Sequence, residues 1–331
     1  MPGSVEISPW YWAGFVCCVL LFLALDLGVL NRRARVVRFR EAAAWSALWF
    51  LLAMAFAGAM AYGRGREPAI EFTTGYLIEL SLSLDNILVI ALIFAWFRIP
   101  REHQHRLLFW GILGAVLMRG AMIFLGVALV DRFDWVLYVF GAFLVIAGVK
   151  MVVAGKATVQ PEKNLALRLA RKIFAISTDL DGQRFFTRLG GRRALTPLAV
   201  VLLIIETTDL FFALDSIPAV FSVTRDAFIV FTSNIFAILG LRSLYFLLAG
   251  ALDYFRYLKA GLSIVLVFIG GKMLIDPHDN PEPKWFQIAV PTSVSLMVVA
   301  AIIIIAIVLS VMVAEREKRT GMAAGSNSNR Q

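Results

Sequence analysis

Five carboxylates stand in segments that are otherwise apolar. Glu79 and Asp85 belong to Glu79-Leu-Ser-Leu-Ser-Leu-Asp85-Asn86-Ile87. Asp209 and Asp215 belong to Asp209-Leu-Phe-Phe-Ala-Leu-Asp215-Ser216-Ile217, with Glu206 one helical turn earlier. An acid near the centre of a membrane helix costs about 2.5–3.5 kcal/mol on insertion scales. Five of them turned to lipid are not tolerable, so they must face one another, water or a bound cation. Asn86 and Ser216 add neutral oxygens beside two of the acids. No His or Cys accompanies the set: His103, His105 and His278 read as loop residues, and Cys17 and Cys18 are adjacent in the first apolar segment. Carboxylate, amide, hydroxyl and carbonyl oxygens suit hard divalent cations such as Mg²⁺, Ca²⁺ and Mn²⁺ and repel oxyanions. Carboxylate ligands also exchange protons for metal, so coupling to protons is open.

The elements that position these residues follow from composition. The chain has 331 residues, 60% hydrophobic and only 17% charged, with a mean hydropathy of +0.79. Ordinary soluble chains hold about 45–50% apolar and about 25% charged residues. A disordered chain, a disulfide scaffold and an ordinary soluble enzyme are excluded, and an all-α polytopic membrane protein is expected. Nine apolar segments approach spanning length, at about 10–30, 42–62, 74–97, 107–130, 135–154, 197–222, 227–250, 257–275 and 286–313. Their connecting segments carry 23 Lys and Arg on one side and five on the other. That asymmetry predicts an outer N-terminus and a cytoplasmic C-terminus. It also accounts for the net charge of +9 without nucleic acid. No signal peptide is visible, and a bacterial inner membrane is the natural location.

The two acidic stretches are copies of each other at an offset of 130 residues. Arg119 then aligns with Arg242, and Gly148, Lys150 and Met151 align with Gly270, Lys272 and Met273. Spans 3–5 thus recur as spans 6–8. Three spans per copy is odd, so the second copy is inverted, an architecture that places transporter sites near the midplane. The expected organisation is accessory spans 1 and 2 (1–73), a first repeat (74–154), a basic cytoplasmic loop (155–196), a second repeat (197–275), and span 9 with a disordered tail (276–331).

Helical periodicity subdivides the acids. Glu79, Ser83 and Asn86 share one face, and Asp85 lies about 120° away at 100° per residue. Glu206, Asp209 and Ala213 share a face, and Asp215 points elsewhere. Straight helices would not bring the two acids of one repeat together. Pro218 cannot donate to the carbonyl of Leu214, so a helix break is expected beside Asp215. Arg119 and Arg242 are candidate charge partners for two acids. Asp26, outside the repeat, is the weaker candidate. In the loop, 165–176 suits an amphipathic helix on the cytoplasmic leaflet, and Gly190-Gly191 suits a hairpin turn. Lys150 and Lys272 read as snorkelling from span ends. No P-loop and no Ser/His/Asp or Cys/His arrangement points to an enzyme.

Glu79-x5-Asp85-Asn86, the run from Glu206 through Asp215-Ser216-Ile217-Pro218 to Phe221, and Gly111-x2-Gly114-x4-Arg119 together resemble the TerC family, Alx-type proteins included. The likeness covers about residues 15–310. This resemblance implies a place among LysE-type transporters built from inverted three-helix repeats, and a role in metal homeostasis, above all Mn²⁺ export. It assigns metal handling to Glu79, Asp85, Asn86, Glu206, Asp209, Asp215 and Ser216. Mn²⁺ would be the transported substrate, with no tightly bound cofactor. The tellurium resistance behind the family name fits so acidic a set only as an indirect phenotype. Expected partners are the divalent ion, the lipid bilayer, and a further copy or another membrane protein. The alternative is a membrane interaction module that supports metal delivery to exported enzymes or a stress-response complex.

Overall fold

The computed structural model describes residues 8–25, 39–153, 164–177, 179–189, 191–248, 258–276 and 287–328. Ten helices account for most of them. They are α1 (Pro9–Leu25), α2 (Phe39–Arg64), α3 (Arg66–Trp96), α4 (Arg101–Arg132), α5 (Trp135–Val153), α6 (Leu165–Ile173), α7 (Pro197–Phe221), α8 (Ala227–Leu248), α9 (Leu258–Ile275) and α10 (Thr292–Ser328). Eight are long and apolar enough to span a bilayer. The first expected span corresponds to α1, a shorter apolar helix of 17 residues, and Asp26 lies outside the described residues. The protein is a polytopic, all-α membrane protein. Most of these helices are apolar around their whole circumference, as elements bounded by lipid and by other helices must be.

Helix directions establish the inversion. Gly75 of α3 packs on Ser233 of α8, and Phe94 packs on Tyr245 further along, so α3 and α8 run parallel. On α4 and α7, Gly111 meets Ile205 and Gly126 meets Phe221, so this pair is also parallel. On α5 and α9, Gly141 meets Met273 while Gly148 meets Val267, so that pair is antiparallel. Each first helix therefore packs on the second helix of the other copy, and the third helices pack on each other. Consecutive helices α3 and α4 reverse direction through residues 97–100, so α3 and α7 run oppositely. This is the exchange a two-fold axis in the membrane plane requires.

The α5–α9 seam shows the axis residue by residue. A Cβ on Gly141 would stand 3.0 Å from the carbonyl oxygen of Gly270, and one on Gly148 would stand 2.9 Å from that of Ser263. Gly148 matches Gly270 in the repeat, and Gly141 matches Ser263, so the two contacts are one contact seen twice. Ser263 Oγ donates to the carbonyl of Gly148. Small residues let the backbones approach, as membrane helix packing favours.

Two apolar clusters form the core, and α7 contributes to both. Leu198 to Ile205 enter one, and Ala213 to Phe221 enter the other. The acid-bearing stretch 206–212 lies between them. α7 begins cleanly: Thr196 caps it by accepting from Ala199 N–H at 3.4 Å, and Pro197 occupies the first turn, where a missing N–H does no harm.

The expected leaflet helix is α6, capped by Asn164. The expected hairpin joins β2 (Phe186–Leu189) and β3 (Arg192–Leu195). A short strand, β1 (Ala175–Ile176), adds to β3 in parallel, giving the order β1-β3-β2.

Several sequence expectations are corrected. Helix α7 passes through Pro218 without a break, because the proline falls in the last turn, where few ladder bonds remain to be lost. Helix α10 continues past its apolar window, which ends at Val313, into the tail expected to be disordered. The stretch Val313-Ala-Glu-Arg-Glu-Lys-Arg consists mostly of good helix formers. His103 and His105 sit in the opening turns of α4, and His105 is buried. Lys272 does not snorkel: it is buried and donates to the carbonyl of Ser222 at 3.0 Å.

Candidate functional site

At the junction of the two core clusters, Arg119 of α4 holds two carboxylates. Its Nη1 donates to Glu79 Oε2 at 2.6 Å. Its Nη2 and Nε donate to the two oxygens of Asp209 at 2.9 and 3.2 Å, a bidentate fork. Nη1 also reaches Asn234 Oδ1 at 3.1 Å and Ser216 Oγ at 3.4 Å. Asn234 Nδ2 in turn donates to Glu79 Oε1 at 2.6 Å. Asn86, with its amide oxygen toward Arg119, accepts from Nη2 at 3.3 Å. Arg119 is 1% exposed and Glu79 0%. Burial of this kind is tolerated only because every charge has an opposite charge and further hydrogen bonds.

Glu79 and Asp209 are equivalents in the repeat. One arginine therefore bridges the same acid from both copies. Asp85 and Asp215, the other equivalent pair, are partly buried and close enough for their charges to repel. Asp85 is also attracted by Lys259 at the start of α9. The structure thus sorts four acids into two pairs across the axis. One pair is clamped by Arg119, and the other stands beside Asn86 and Ser216 in sequence. Helical spacing anticipates the partition: Glu79 with Asn86, and Asp209 with Ser216, each seven residues apart, turn the same way.

Glu206 takes a third position. Its carboxylate fills the space beside Gly114 of α4, where a Cβ would collide with it. Its Oε2 is buried without a hydrogen-bond partner, and it lies close enough to Asp209 for repulsion. Gly114→Ala should therefore displace Glu206 at a cost of no more than about 1 kcal/mol, the low end of the overpacking range, because the atoms in the way are the free end of a flexible side chain. The same change combined with Glu206→Ala should cost measurably less than the sum of the two single changes, because the two sites share one space. Thermal melting of the four proteins in one detergent checks this, and additive losses would disprove the contact.

The seven residues expected to handle metal do not gather into one cluster. Among the described residues no group of three or more His, Cys, Asp or Glu side chains is placed to hold a metal ion. Among the described residues Arg119 holds both Glu79 and Asp209, where the sequence offers Arg119 and Arg242 as separate candidate partners. Arg242 lies partly buried on α8. Sequence reasoning missed Asn234, whose signal was an amide in the middle of an apolar span. Gly114 is a further site residue that spacing does not mark, since Gly-x2-Gly in an apolar helix reads as close helix packing. Ser83, on the Glu79 face, is fully buried with no partner for its hydroxyl.

The integral membrane protein TerC family matches residues 64–318, which include both repeats and the five carboxylates Glu79, Asp85, Glu206, Asp209 and Asp215. The chain belongs to the TerC family. An uncharacterized membrane protein of Myxococcus xanthus is 52% identical over 305 residues, covering 92% of this chain and 93% of that one. A protein of Escherichia coli K12 named "Putative membrane-bound redox modulator Alx" is 42% identical over 321 residues, covering 94% and 97%. An uncharacterized membrane protein of Rickettsia bellii is 38% identical over 301 residues, covering 91% and 97%. No solved structure matches. The TerC assignment thus rests on nearly the full length of its relatives.

Proposed function

We propose that this TerC protein is a transporter that exports a hard divalent cation, Mn²⁺ first among them, across the bacterial inner membrane, in exchange for protons. The observation that carries the reading is the pair Asp85 and Asp215. They are equivalent acids of two inverted repeats, within spanning helices, outside the Arg119 clamp, and close enough to repel. A cation between them removes that repulsion and gains two charged oxygen ligands. Asn86 and Ser216 stand next to them in sequence, and Glu206, with an orphaned oxygen one turn before Asp209, is the further carboxylate on the path. Glu79, Asp209 and Arg119 form the rigid joint about which the two repeats rock. The choice of Mn²⁺, the outward direction and the proton coupling follow the family resemblance.

The relatives' redox name is accommodated downstream of metal movement. The chain's only two cysteines, Cys17 and Cys18, are consecutive on α1. Consecutive helical residues point about 100° apart.

Metal ligation by carboxylates requires their deprotonated form, so metal and protons compete. Mn²⁺ affinity of the purified protein should fall as pH falls, by up to about tenfold per pH unit for each proton released on binding. Titration calorimetry across a pH series in two buffers of different ionisation heat reads both the affinity and the released protons. Mn²⁺ binding that is independent of pH and of Asp215→Asn would rule out these acids as the site.

A further inference from the structure

The cytoplasmic segment between the repeats carries a feature that transport does not use. Residues 164–195 hold seven Lys and Arg against two Asp. The positive-inside rule accounts for their number, but it does not explain their placement. In the β2–β3 ladder Arg188 stands directly opposite Arg193. Like charges directly opposed in an antiparallel pair destabilise it. The two arginines line an open groove of about 590 Å³, together with Arg184, Phe186, Thr187 and Asp181. The one acid there is held by Thr187, whose Oγ1 donates to Asp181 at 2.9 Å, and it stands 3.9 Å from Arg184. Three guanidinium groups and one carboxylate leave the groove net positive, which suits a group carrying several anionic oxygens.

The groove is tied to the membrane surface. Thr196, the cap of spanning helix α7, donates from N–H to the carbonyl of Phe185 at 3.0 Å and from Oγ1 to that of Arg184 at 2.8 Å. Apolar side chains around it are open: Phe186 is 57% exposed, and Leu169 and Ile173 of α6 are 51% and 73% exposed. Phe174, which follows α6, meets the Phe186 ring at 6.4 Å, so helix and hairpin form one surface. On α6 the exposed Leu169 and Ile173 continue the apolar band that packs on α7 through Leu167 and Ala170, and Arg168, Arg171 and Lys172 lie opposite. An apolar flank beside a cluster of arginines is the pattern of an element lying in an anionic lipid interface.

We infer that this groove binds the phosphate of an anionic phospholipid headgroup in the cytoplasmic leaflet, seating α6 and the hairpin on the membrane. The inference is independent of what the protein transports. Native mass spectrometry of the full-length protein in detergent, with added phosphatidylglycerol or phosphatidylcholine, tests it. Wild type should bind phosphatidylglycerol in preference. Arg188→Gln with Arg193→Gln should weaken that binding about 25-fold, from about fivefold for each base near an anionic surface, and leave phosphatidylcholine binding unchanged. Arg98→Gln with Arg101→Gln removes the same charge outside the groove and should change the preference less than twofold. Equal loss in the two double variants would overturn the groove in favour of diffuse charge. Inorganic phosphate binding that the groove variant loses, without any phosphatidylglycerol preference, would overturn the lipid assignment. No preference in wild type would overturn the proposal as a whole.

Discussion

Replacing Asp85 or Asp215 by Asn should abolish Mn²⁺ tolerance in cells that depend on this protein for it, while the variant is made and inserted at wild-type levels. Outer partners of metal ligands are worth about 10–100-fold in affinity, so loss of a direct charged ligand should reach at least about 100-fold in transport. The physical reason is specific to this pair. Asp85 and Asp215 are both partly buried and stand near each other, so neutralising one should lower the cost of burying two like charges even as it removes half the charge offered to the cation. Unchanged or raised thermal stability should therefore accompany lost function. The check is a tolerance curve paired with melting of the purified variants. Normal tolerance in both variants would count decisively against the site. Lost tolerance with equally lost stability would place the two acids in the scaffold instead.

Arg119→Ala has the opposite signature. The substitution strips Glu79 and Asp209 of their shared counter-charge and leaves Glu79 with the hydrogen bond from Asn234. Breaking one side of a buried ion pair costs about 3–5 kcal/mol, and here two carboxylates lose their counter-charge together. Since whole domains are stable by only about 5–15 kcal/mol, the variant should fall to a small fraction of wild-type folded yield. Adding Glu79→Gln and Asp209→Asn to Arg119→Ala removes the stranded charges and should restore most of that yield. Arg119→Lys keeps the charge but gives up the bidentate fork to Asp209, so it should fall between the two. Fluorescence-detected size exclusion of the four proteins reads the order. A well-folded Arg119→Ala protein would show that the clamp is not what joins the repeats.

The contrast between these two pairs also shows what could be read from sequence. Helical phase alone separates Glu79 and Asn86 from Asp85, and Asp209 from Asp215, because 100° per residue is fixed by helix geometry. The repeat offsets align Glu79 with Asp209 and Asp85 with Asp215. What the chain alone does not reveal is which pair the arginine takes. That depends on how α4 lies against α7, and so on small residues whose meaning is three-dimensional. Gly114 reads as a packing glycine and is in fact the space for a carboxylate. Lys272 and Lys150 are equivalent in sequence, yet Lys272 is buried against Ser222 and Lys150 is exposed, because the two ends of an inverted pair meet different neighbours. The expected break at Pro218 fails for a similar reason: a proline's effect depends on how much helix follows it, and only three residues do.

The basic loop follows the same logic. Its basic composition predicts a cytoplasmic location, and periodicity yields α6 and the hairpin. The register that opposes Arg188 to Arg193 emerges only once the turn is built, since a shift of one residue would put them on opposite faces.

We propose that two acids, one from each inverted repeat, carry a divalent cation across the membrane. The most direct test is radioactive Mn²⁺ flux into proteoliposomes under an imposed pH gradient, comparing wild type with Asp215→Asn. Gradient-driven flux is expected in the wild type, and none above protein-free liposomes in the variant. Wild-type protein that is folded and correctly oriented yet moves no Mn²⁺ would rule out Mn²⁺ transport, and a variant that moves it as fast as wild type would rule out Asp215 as a ligand.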